Sequence, residues 1–137
     1  MATEITKSDE QWRRELTPQQ YDVLRRKGTE RPFSGRYVYT KDDGMYRCAA
    51  CGSALFSSDT KFDSGTGWPS FTEPAVAQNV EVREDRSLFM RRTEVICATC
   101  GGHLGHVFDD GPAGAPRYCI NSVSLELDPS SDEPSDT

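Results

Sequence analysis

The sequence predicts a mainly β domain, in which antiparallel sheets are clipped together by a four-cysteine metal site and short helices lie at the N-terminus. Three features of the 137-residue chain support this fold class. Helix-start patterns occupy the first third, glycines then divide the chain into short strand-like runs, and two C-x-x-C pairs lie among those runs. Frequent turns between short runs favour antiparallel strands, and a chain of this length typically forms one domain.

The first third of the chain carries two helix-start patterns. Ser8 and Thr17 are each followed three residues later by a glutamine, which fits a capping box. Pro18 stands at a first helical position, where its missing N–H costs nothing. These patterns predict short helices over residues 8–15 and 18–26.

Strand-like runs follow between the turns, and they cover residues 36–39, 45–47, 79–83, 88–95 and 118–127. The last run alternates in character with the period of a strand. This alternation predicts one common face for Arg117, Cys119, Asn121, Val123, Leu125 and Leu127. Because the last three are apolar, we expect that face to be the core side, with Cys119 near its polar end.

Composition limits the classes of protein to which the chain can belong. A net charge of -6 does not favour nucleic-acid binding, which needs basic patches. No stretch is long and apolar enough for a membrane span, and the first residues do not resemble a secretory signal. We expect a cytoplasmic monomer with a flexible N-terminus (1–7), a single domain (8–127) and a disordered acidic tail (128–137).

The five cysteines divide into two pairs and one single residue. Cys48/Cys51 and Cys97/Cys100 have the spacing of metal knuckles, and four thiolates suit a structural zinc ion. A rubredoxin-like iron site or a thioredoxin-like redox pair would use the same spacing. Disulfides are the alternative in a secreted chain, whereas a reducing compartment favours metal ligation.

Cys119 is a candidate nucleophile, although a small buried hydrophobe is the common fate of a free cysteine. His103 and His106 follow directly after the second cysteine pair and are candidate general acids. One of them could instead replace a cysteine as a zinc ligand. Trp68 and Phe71, in a glycine-rich segment, either wall an apolar slot or join the core.

Taken together, these segments resemble type B methionine-R-sulfoxide reductases over nearly the whole folded length. The matching stretches are residues 28–33, 48–51, 64–71, 97–100, 103–108 and 117–122. The resemblance implies that Cys119 attacks the sulfur of R-configured methionine sulfoxide, and that His103, with His106 and Asn121, assists at the oxygen. It also implies that Trp68 bounds a methyl pocket, with Phe71 a further wall residue. Arg117 and Asp110 would be polar residues around the site.

For sulfoxide reduction by a cysteine, we expect proton donation to the oxygen to accelerate the reaction more than a lowered thiol pKa does. A fall in the thiol pKa from about 8.5 to about 6.5 gains only a few-fold, because nucleophilicity falls with the pKa. General acid catalysis is worth about 10²–10⁴. We therefore expect loss of His103 to be nearly as severe as loss of Cys119.

The recycling step is expected to use a single cysteine, because Thr66 stands where many relatives carry a resolving cysteine. Reduction would leave a sulfenic acid on Cys119, which thioredoxin, glutaredoxin or a small thiol would then attack. The expected substrates are oxidised proteins, and the expected role is protein repair under oxidative stress. Two alternatives remain at this point: a zinc-ribbon binding module without catalysis, and a peroxide-reducing cysteine enzyme.

Overall fold

The computed structural model describes residues 8–85 and 92–129 of the chain. Within them, two helices precede nine strands. The helices are α1 (Asp9–Glu15) and α2 (Pro18–Arg26). The strands are β1 (Gly44–Cys48), β2 (Ala54–Ser57), β3 (Lys61–Phe62), β4 (Ser70–Phe71), β5 (Val80–Asp85), β6 (Arg92–Cys97), β7 (His103–Phe108), β8 (Arg117–Ile120) and β9 (Leu125–Pro129).

Both predicted helices form, because each begins with a reciprocal capping box. The Ser8 and Thr17 side chains accept backbone N–H bonds, and the glutamine three residues later bonds back in each case. Trp12 of α1 and Leu24 of α2 are each 2 % exposed, so the helices bury one face against the sheets. Within the described ranges, neither helix has the length and apolar character that a membrane span requires.

The strands form two antiparallel sheets, and this confirms the predicted fold class. The smaller sheet has the order β2-β1-β9, and the larger has the order β3-β4-β8-β7-β6-β5. Aromatic rings fill the space where the sheets meet. Phe56 of β2 stacks on Phe71 of β4 with ring centroids 4.6 Å apart, and Tyr46 of β1 meets Phe71 edge-on at 5.2 Å. Such pairs add to the free energy of area burial.

The strand predicted over residues 36–39 is wrong, since this segment consists of turns and bends. The backbone N–H of Tyr37 donates to the Ser122 hydroxyl, and that of Val38 lies near the Gly35 carbonyl. These donors are therefore used by a distant side chain and a local turn rather than by a neighbouring strand. Tyr37 and Val38 are buried all the same, whereas Tyr39 is 64 % exposed.

The single strand predicted over residues 118–127 is also wrong. It is interrupted by a 3₁₀ turn at Ser122–Ser124, so that β8 belongs to the larger sheet and β9 to the smaller. The backbone N–H of Val123 donates to the Glu30 carboxylate, and the backbone N–H of Ser124 donates to the Asn121 carbonyl. Neither N–H group is therefore used for pairing with a neighbouring strand. The proposed common face therefore does not continue from Cys119 to Val123, Leu125 and Leu127.

The other predicted strands are only partly matched. Residues 45–47 lie inside β1, while residue 79 belongs to a 3₁₀ turn before β5. Of the run 88–95, residues 88–91 lie outside the described residues, and the remainder begins β6. Strand β9 ends at Pro129, two residues beyond the expected domain boundary. The expected flexible residues 1–7 and residues 130–137 of the acidic tail lie outside the described ranges.

Candidate active site

The two C-x-x-C pairs form matching knuckles at the ends of β1 and β6. In each knuckle the glycine after the second cysteine has a positive φ, 82° at Gly52 and 76° at Gly101. Its N–H donates to the carbonyl of the first cysteine over 2.8 Å in both cases. This left-handed conformation favours glycine and turns the chain back sharply. Each pair of thiols is thereby presented on one side of its turn.

The four paired thiols converge on a single point between the two sheets. Their sulfur atoms all lie within 4.8 Å of one another. The sulfurs of Cys48 and Cys100 are 3.7 Å apart, and those of Cys51 and Cys97 are 3.6 Å apart. A disulfide needs about 2.05 Å, whereas the edge of a zinc–thiolate tetrahedron with bonds of about 2.3 Å is about 3.8 Å. The cluster therefore fits a tetrahedral metal ion and joins the smaller sheet to the larger.

A separate cavity of about 300 Å³ surrounds the fifth cysteine. This volume is at the lower end for small-molecule pockets and suits one side chain better than a large cofactor. The lining residues are Thr29, Thr66, Trp68, Gly105, His106, Phe108, Arg117, Cys119 and Asn121. The cavity thus gathers residues from two central strands of the larger sheet and from two loops that cover one of its faces.

Cys119 and His106 both line this cavity and lie side by side on neighbouring strands. They are directly opposed in the antiparallel pairing of β8 and β7, which places their side chains on the same face. Burial raises the pKa of the Cys119 thiol, while contacts with Thr66 and the positive charge of Arg117 oppose that rise. The resting cysteine is therefore protonated near neutral pH.

His103 lies behind the cavity and is not among the residues that line it. Its side chain is buried, and its Nδ1 is 2.7 Å from a carboxylate oxygen of Glu94. Its ring meets that of His106 edge-on, with centroids 5.4 Å apart. Burial lowers the pKa of His103 despite the nearby carboxylate. The structure therefore does not bring the histidine that was predicted as the leading proton donor into the pocket.

Asn121 lines the cavity, but both ends of its side-chain amide form hydrogen bonds to backbone groups. Its Nδ2 donates to the Leu104 carbonyl over 3.0 Å, and its Oδ1 accepts the N–H of Glu30 over 3.0 Å. The Glu30 carbonyl in turn accepts the indole N–H of Trp68 over 3.0 Å. Asn121 thereby links strand β7 to Glu30, which in turn holds the indole of Trp68.

Arg117 and Asp110 form a bidentate pair at the mouth of the cavity. The Arg117 Nε–Asp110 Oδ1 distance is 2.8 Å, and the guanidinium carbon lies 4.5 Å from the centroid of the Phe108 ring. The guanidinium lowers the pKa of the Asp110 carboxyl. The pair fixes the guanidinium beside the thiol, and Asp110 acts only through Arg117, since it does not itself line the cavity.

Trp68 lines the cavity as predicted from the sequence, whereas Phe71 does not. Phe71 is fully buried in β4 and packs against Phe56 and Tyr46. The strand period explains this division, because Ser70 is opposed to Cys119 and Phe71 to Tyr118. Phe108, which the sequence analysis did not single out, is the aromatic residue that joins Trp68 in the wall.

Comparison with known proteins places this arrangement in a family. The chain matches the SelR domain over residues 16–129. It is 63% identical over 124 residues to "Peptide methionine sulfoxide reductase MsrB" of Methanosarcina barkeri, covering 90% of this chain and 87% of that protein. The protein of the same name from Bradyrhizobium diazoefficiens is 62% identical over 126 residues, with 91% of each chain covered. This chain belongs to the SelR family of MsrB-type methionine-R-sulfoxide reductases.

In this SelR-family chain, sequence reasoning missed two buried carboxylates, Glu30 and Glu94. Each is about as buried as the core, at 4 % and 3 % exposed. A glutamate among other polar residues gives no local signal of burial, because burial depends on which distant segments cover it. Glu30 lay within a stretch that resembled the family, and that stretch was the available clue. Nothing local distinguished Glu94.

Proposed function

We propose that this protein reduces the R epimer of methionine sulfoxide in oxidised proteins, with Cys119 as the nucleophile. The observation that best supports this proposal is that Cys119 and His106 form a cross-strand pair in an aromatic-walled cavity of about 300 Å³. The relatives at 55–63% identity, each named a peptide methionine sulfoxide reductase, support the substrate class. A cavity of that size accepts a side chain projected from a peptide.

The proposed chemistry transfers the sulfoxide oxygen to the cysteine. The Cys119 sulfur attacks the sulfoxide sulfur while the oxygen gains protons, and the sulfur–oxygen bond of the substrate breaks. Methionine leaves, and the oxygen remains as a hydroxyl on the Cys119 sulfur, which is a sulfenic acid. The Cys119 sulfur loses the two electrons that the substrate sulfur gains, so this half-reaction needs no outside electron donor. The proton lost by the thiol balances the one that the oxygen keeps.

We assign the proton donor at the oxygen to His106 rather than His103. His106 lines the cavity opposite Cys119, whereas His103 is buried behind it. Donation by a positioned side chain requires hydrogen-bond reach of the reacting atom. Trp68 and Phe108 supply apolar surface for the substrate's methyl group, and the Arg117–Asp110 pair holds positive charge beside the attacking sulfur.

Recycling in this proposal uses an external thiol. The first thiol attacks the Cys119 sulfenic acid and releases water, and a second thiol resolves the mixed disulfide. Thr66, whose hydroxyl lies 3.8 Å from the Cys119 sulfur, supplies no internal thiol. Thioredoxin, glutaredoxin or a small thiol would provide the two electrons. These reactions need a reducing compartment, which supports the cytoplasm, and the monomeric state stays a prediction.

We propose zinc as the ion of the four-cysteine cluster. Cys48, Cys51, Cys97 and Cys100 would hold it, and their sulfur spacing suits a closed tetrahedron. Such an ion supplies no chemistry to the pocket and acts by joining the two sheets. With four cysteines as ligands, neither histidine is needed at the metal.

The test is reduction of separate R and S epimers of a blocked methionine sulfoxide, with dithiothreitol as reductant and methionine as the measured product. Turnover of R alone is expected, and Cys119→Ser should abolish it. Turnover of neither epimer by folded, metal-bound protein would contradict the proposed function. Consumption of hydrogen peroxide without sulfoxide turnover would favour the peroxide-reducing alternative.

A further inference from the structure

Glu94 is a buried carboxylate outside the pocket whose two oxygens are both occupied. One oxygen lies 2.7 Å from Nδ1 of His103, and the other lies 3.3 Å from Nζ of Lys27, just past the end of α2. The Glu94 side chain is 4 % exposed, whereas that of Lys27 is 66 % exposed. A charge is kept in such a place only when it is paired and hydrogen-bonded. The Lys27 contact therefore supplies the opposite charge that a carboxylate buried at this position needs.

A β-bulge brings Glu94, His103 and His106 to one face of the larger sheet. Glu94 is opposed to His106, and the next same-face residue of β6, Ile96, is opposed to His103. The register shifts between these pairs, so that one extra residue, Leu104, lies on β7. In a regular strand, histidines three residues apart would point to opposite faces. Because of the bulge, His103 and His106 lie on the same face, and their rings can make contact.

The bulge is held in place from β8 and the turn that follows. The Leu104 carbonyl accepts both the backbone N–H and the side-chain amide of Asn121. The His103 carbonyl accepts the Ser124 hydroxyl over 3.0 Å. The orientation of His103 is therefore determined by fixed backbone contacts as well as by Glu94.

The contact with Glu94 also determines which ring nitrogen of His103 carries the proton. An ionised carboxylate only accepts, so Nδ1 must donate to it. A neutral ring then has a bare Nε2, and this atom is buried without a hydrogen-bond partner among the described residues. Burial lowers the pKa of His103, which keeps the ring neutral.

We propose that Glu94 is a positioning residue for the sulfoxide reduction: it holds His103 as the Nδ1–H tautomer, and His103 in turn orients His106 against Cys119. This inference rests on the proposed function, since it explains how the assigned proton donor is kept ready. The arrangement repeats the logic in which a buried carboxylate fixes the tautomer and orientation of a catalytic imidazole. Here a second imidazole lies between the carboxylate and the donor.

The tautomer of His103 separates a positioning role of Glu94 from a purely structural one. A purely structural role predicts the same His103 tautomer whether residue 94 presents a carboxylate or an amide, whereas the positioning role predicts that the tautomer changes.

The experiment compares Glu94→Gln, Lys27→Met and the control Glu126→Gln, which removes an exposed carboxylate from the smaller sheet. In Glu94→Gln, Lys27 attracts the amide oxygen, so the amide N–H₂ faces Nδ1 and forces the other tautomer of His103. The single-turnover rate of methionine formation should fall by about 10- to 100-fold. Lys27→Met leaves the contact between Glu94 and His103 in place, so it should keep the Nδ1–H tautomer and lose less of the rate than Glu94→Gln. Glu126→Gln should match the wild type in rate and in the tautomer of His103.

A second measurement does not depend on activity. Long-range ¹H–¹⁵N correlation spectra of the resting protein should show Nδ1–H for His103 in the wild type and Nε2–H in Glu94→Gln. The Nε2–H form in the wild type would overturn the proposal even if the protein reduces sulfoxide. Absence of turnover with the Nδ1–H form present would instead count against the proposed function. If Glu94→Gln does not fold, the wild-type spectrum alone decides, because Nε2–H there overturns the proposal and Nδ1–H there supports it.

Discussion

His106 and Cys119 are opposed residues of two paired strands, and their side chains share the pocket face. The backbone ladder fixes the separation of their Cα atoms, so only side-chain rotation adjusts the distance between imidazole and thiol. Opposed residues in an antiparallel pair have Cβ atoms about 4.5–5.5 Å apart. A sulfoxide group bound between them can contact both at once. The sheet itself therefore aligns the proposed nucleophile with the proposed proton donor.

The first prediction concerns the two histidines. His106→Asn should reduce the single-turnover rate by about 10²–10⁴, because it removes the general acid. His103→Asn should have a smaller effect, since His103 acts through His106. The measurement is methionine formed from the R epimer in the absence of recycling thiol, with circular dichroism as a check on folding. A larger loss in His103→Asn than in His106→Asn would restore His103 as the donor.

The second prediction concerns the resting thiol. Burial raises the pKa of Cys119, so its alkylation at neutral pH should be slower than that of a free cysteine and should accelerate as the pH rises. Arg117→Met should shift this profile to still higher pH, because a nearby positive charge favours the thiolate. Rates can be followed by mass spectrometry of the peptide that contains Cys119.

The control for this profile is Arg83→Met, which removes an exposed arginine on β5 at the far edge of the larger sheet. It should leave the alkylation profile unchanged. If Cys119 were alkylated at a lower pH than a free cysteine is, burial would not be raising the pKa of its thiol. An unchanged profile in Arg117→Met would show that the guanidinium does not act on the sulfur.

Local sequence signals predicted the parts of this molecule that local contacts determine. The capping boxes at Ser8 and Thr17 form within one turn of helix, so the helices could be predicted nearly to the residue. The knuckles depend on C-x-x-C-G spacing, and their convergence on one point followed from the number of thiols. Their geometry is largely independent of the rest of the chain.

Non-local contacts determine what the sequence did not reveal. The segment 36–39 has strand-like residues, but the Ser122 hydroxyl takes the N–H of Tyr37 across 85 positions. The bulge at Leu104, which brings His103 to the same sheet face as His106, depends on a register shift between two strands. No local pattern encodes that shift. The choice between the two histidines therefore required the three-dimensional structure.

The third prediction concerns recycling. After one turnover without reductant, wild-type Cys119 should gain the mass of one oxygen atom as a sulfenic acid. Thr66→Cys should instead form an internal disulfide with Cys119, because the Thr66 hydroxyl is already 3.8 Å from the sulfur. Gly65 and Gly67 flank this position and let the loop make the remaining approach. Mass spectrometry of non-reduced peptides distinguishes the two products.

Thr66→Ser is the matched control for that substitution and should retain the sulfenic acid. An internal disulfide between Cys119 and a knuckle cysteine in the wild type would contradict a single-cysteine cycle, and it would also release the metal ion. Persistence of the sulfenic acid in Thr66→Cys would show that the loop does not bring the introduced thiol within bonding distance of Cys119.

The fourth prediction concerns the metal cluster. Structural zinc contributes about 10–16 kcal/mol in small domains, and a whole domain is stable by only about 5–15 kcal/mol. Cys48 ends β1 of the smaller sheet, and its sulfur lies beside that of Cys100 in the opposite knuckle. Cys48→Ser should therefore lose the metal and fail to fold. Metal content per chain and thermal unfolding measure both effects.

Cys119→Ser is the control that removes a thiol outside the metal cluster, so it shows whether loss of a thiol alone lowers the stability of the protein. It should retain one metal ion per chain and unfold near the wild-type temperature, because the cavity is distinct from the cluster. Retention of metal and stability by Cys48→Ser would contradict a four-thiolate site. Iron in place of zinc would be recognised by its visible absorption. Either ion would be held by the same four sulfur atoms and would join the two sheets in the same way.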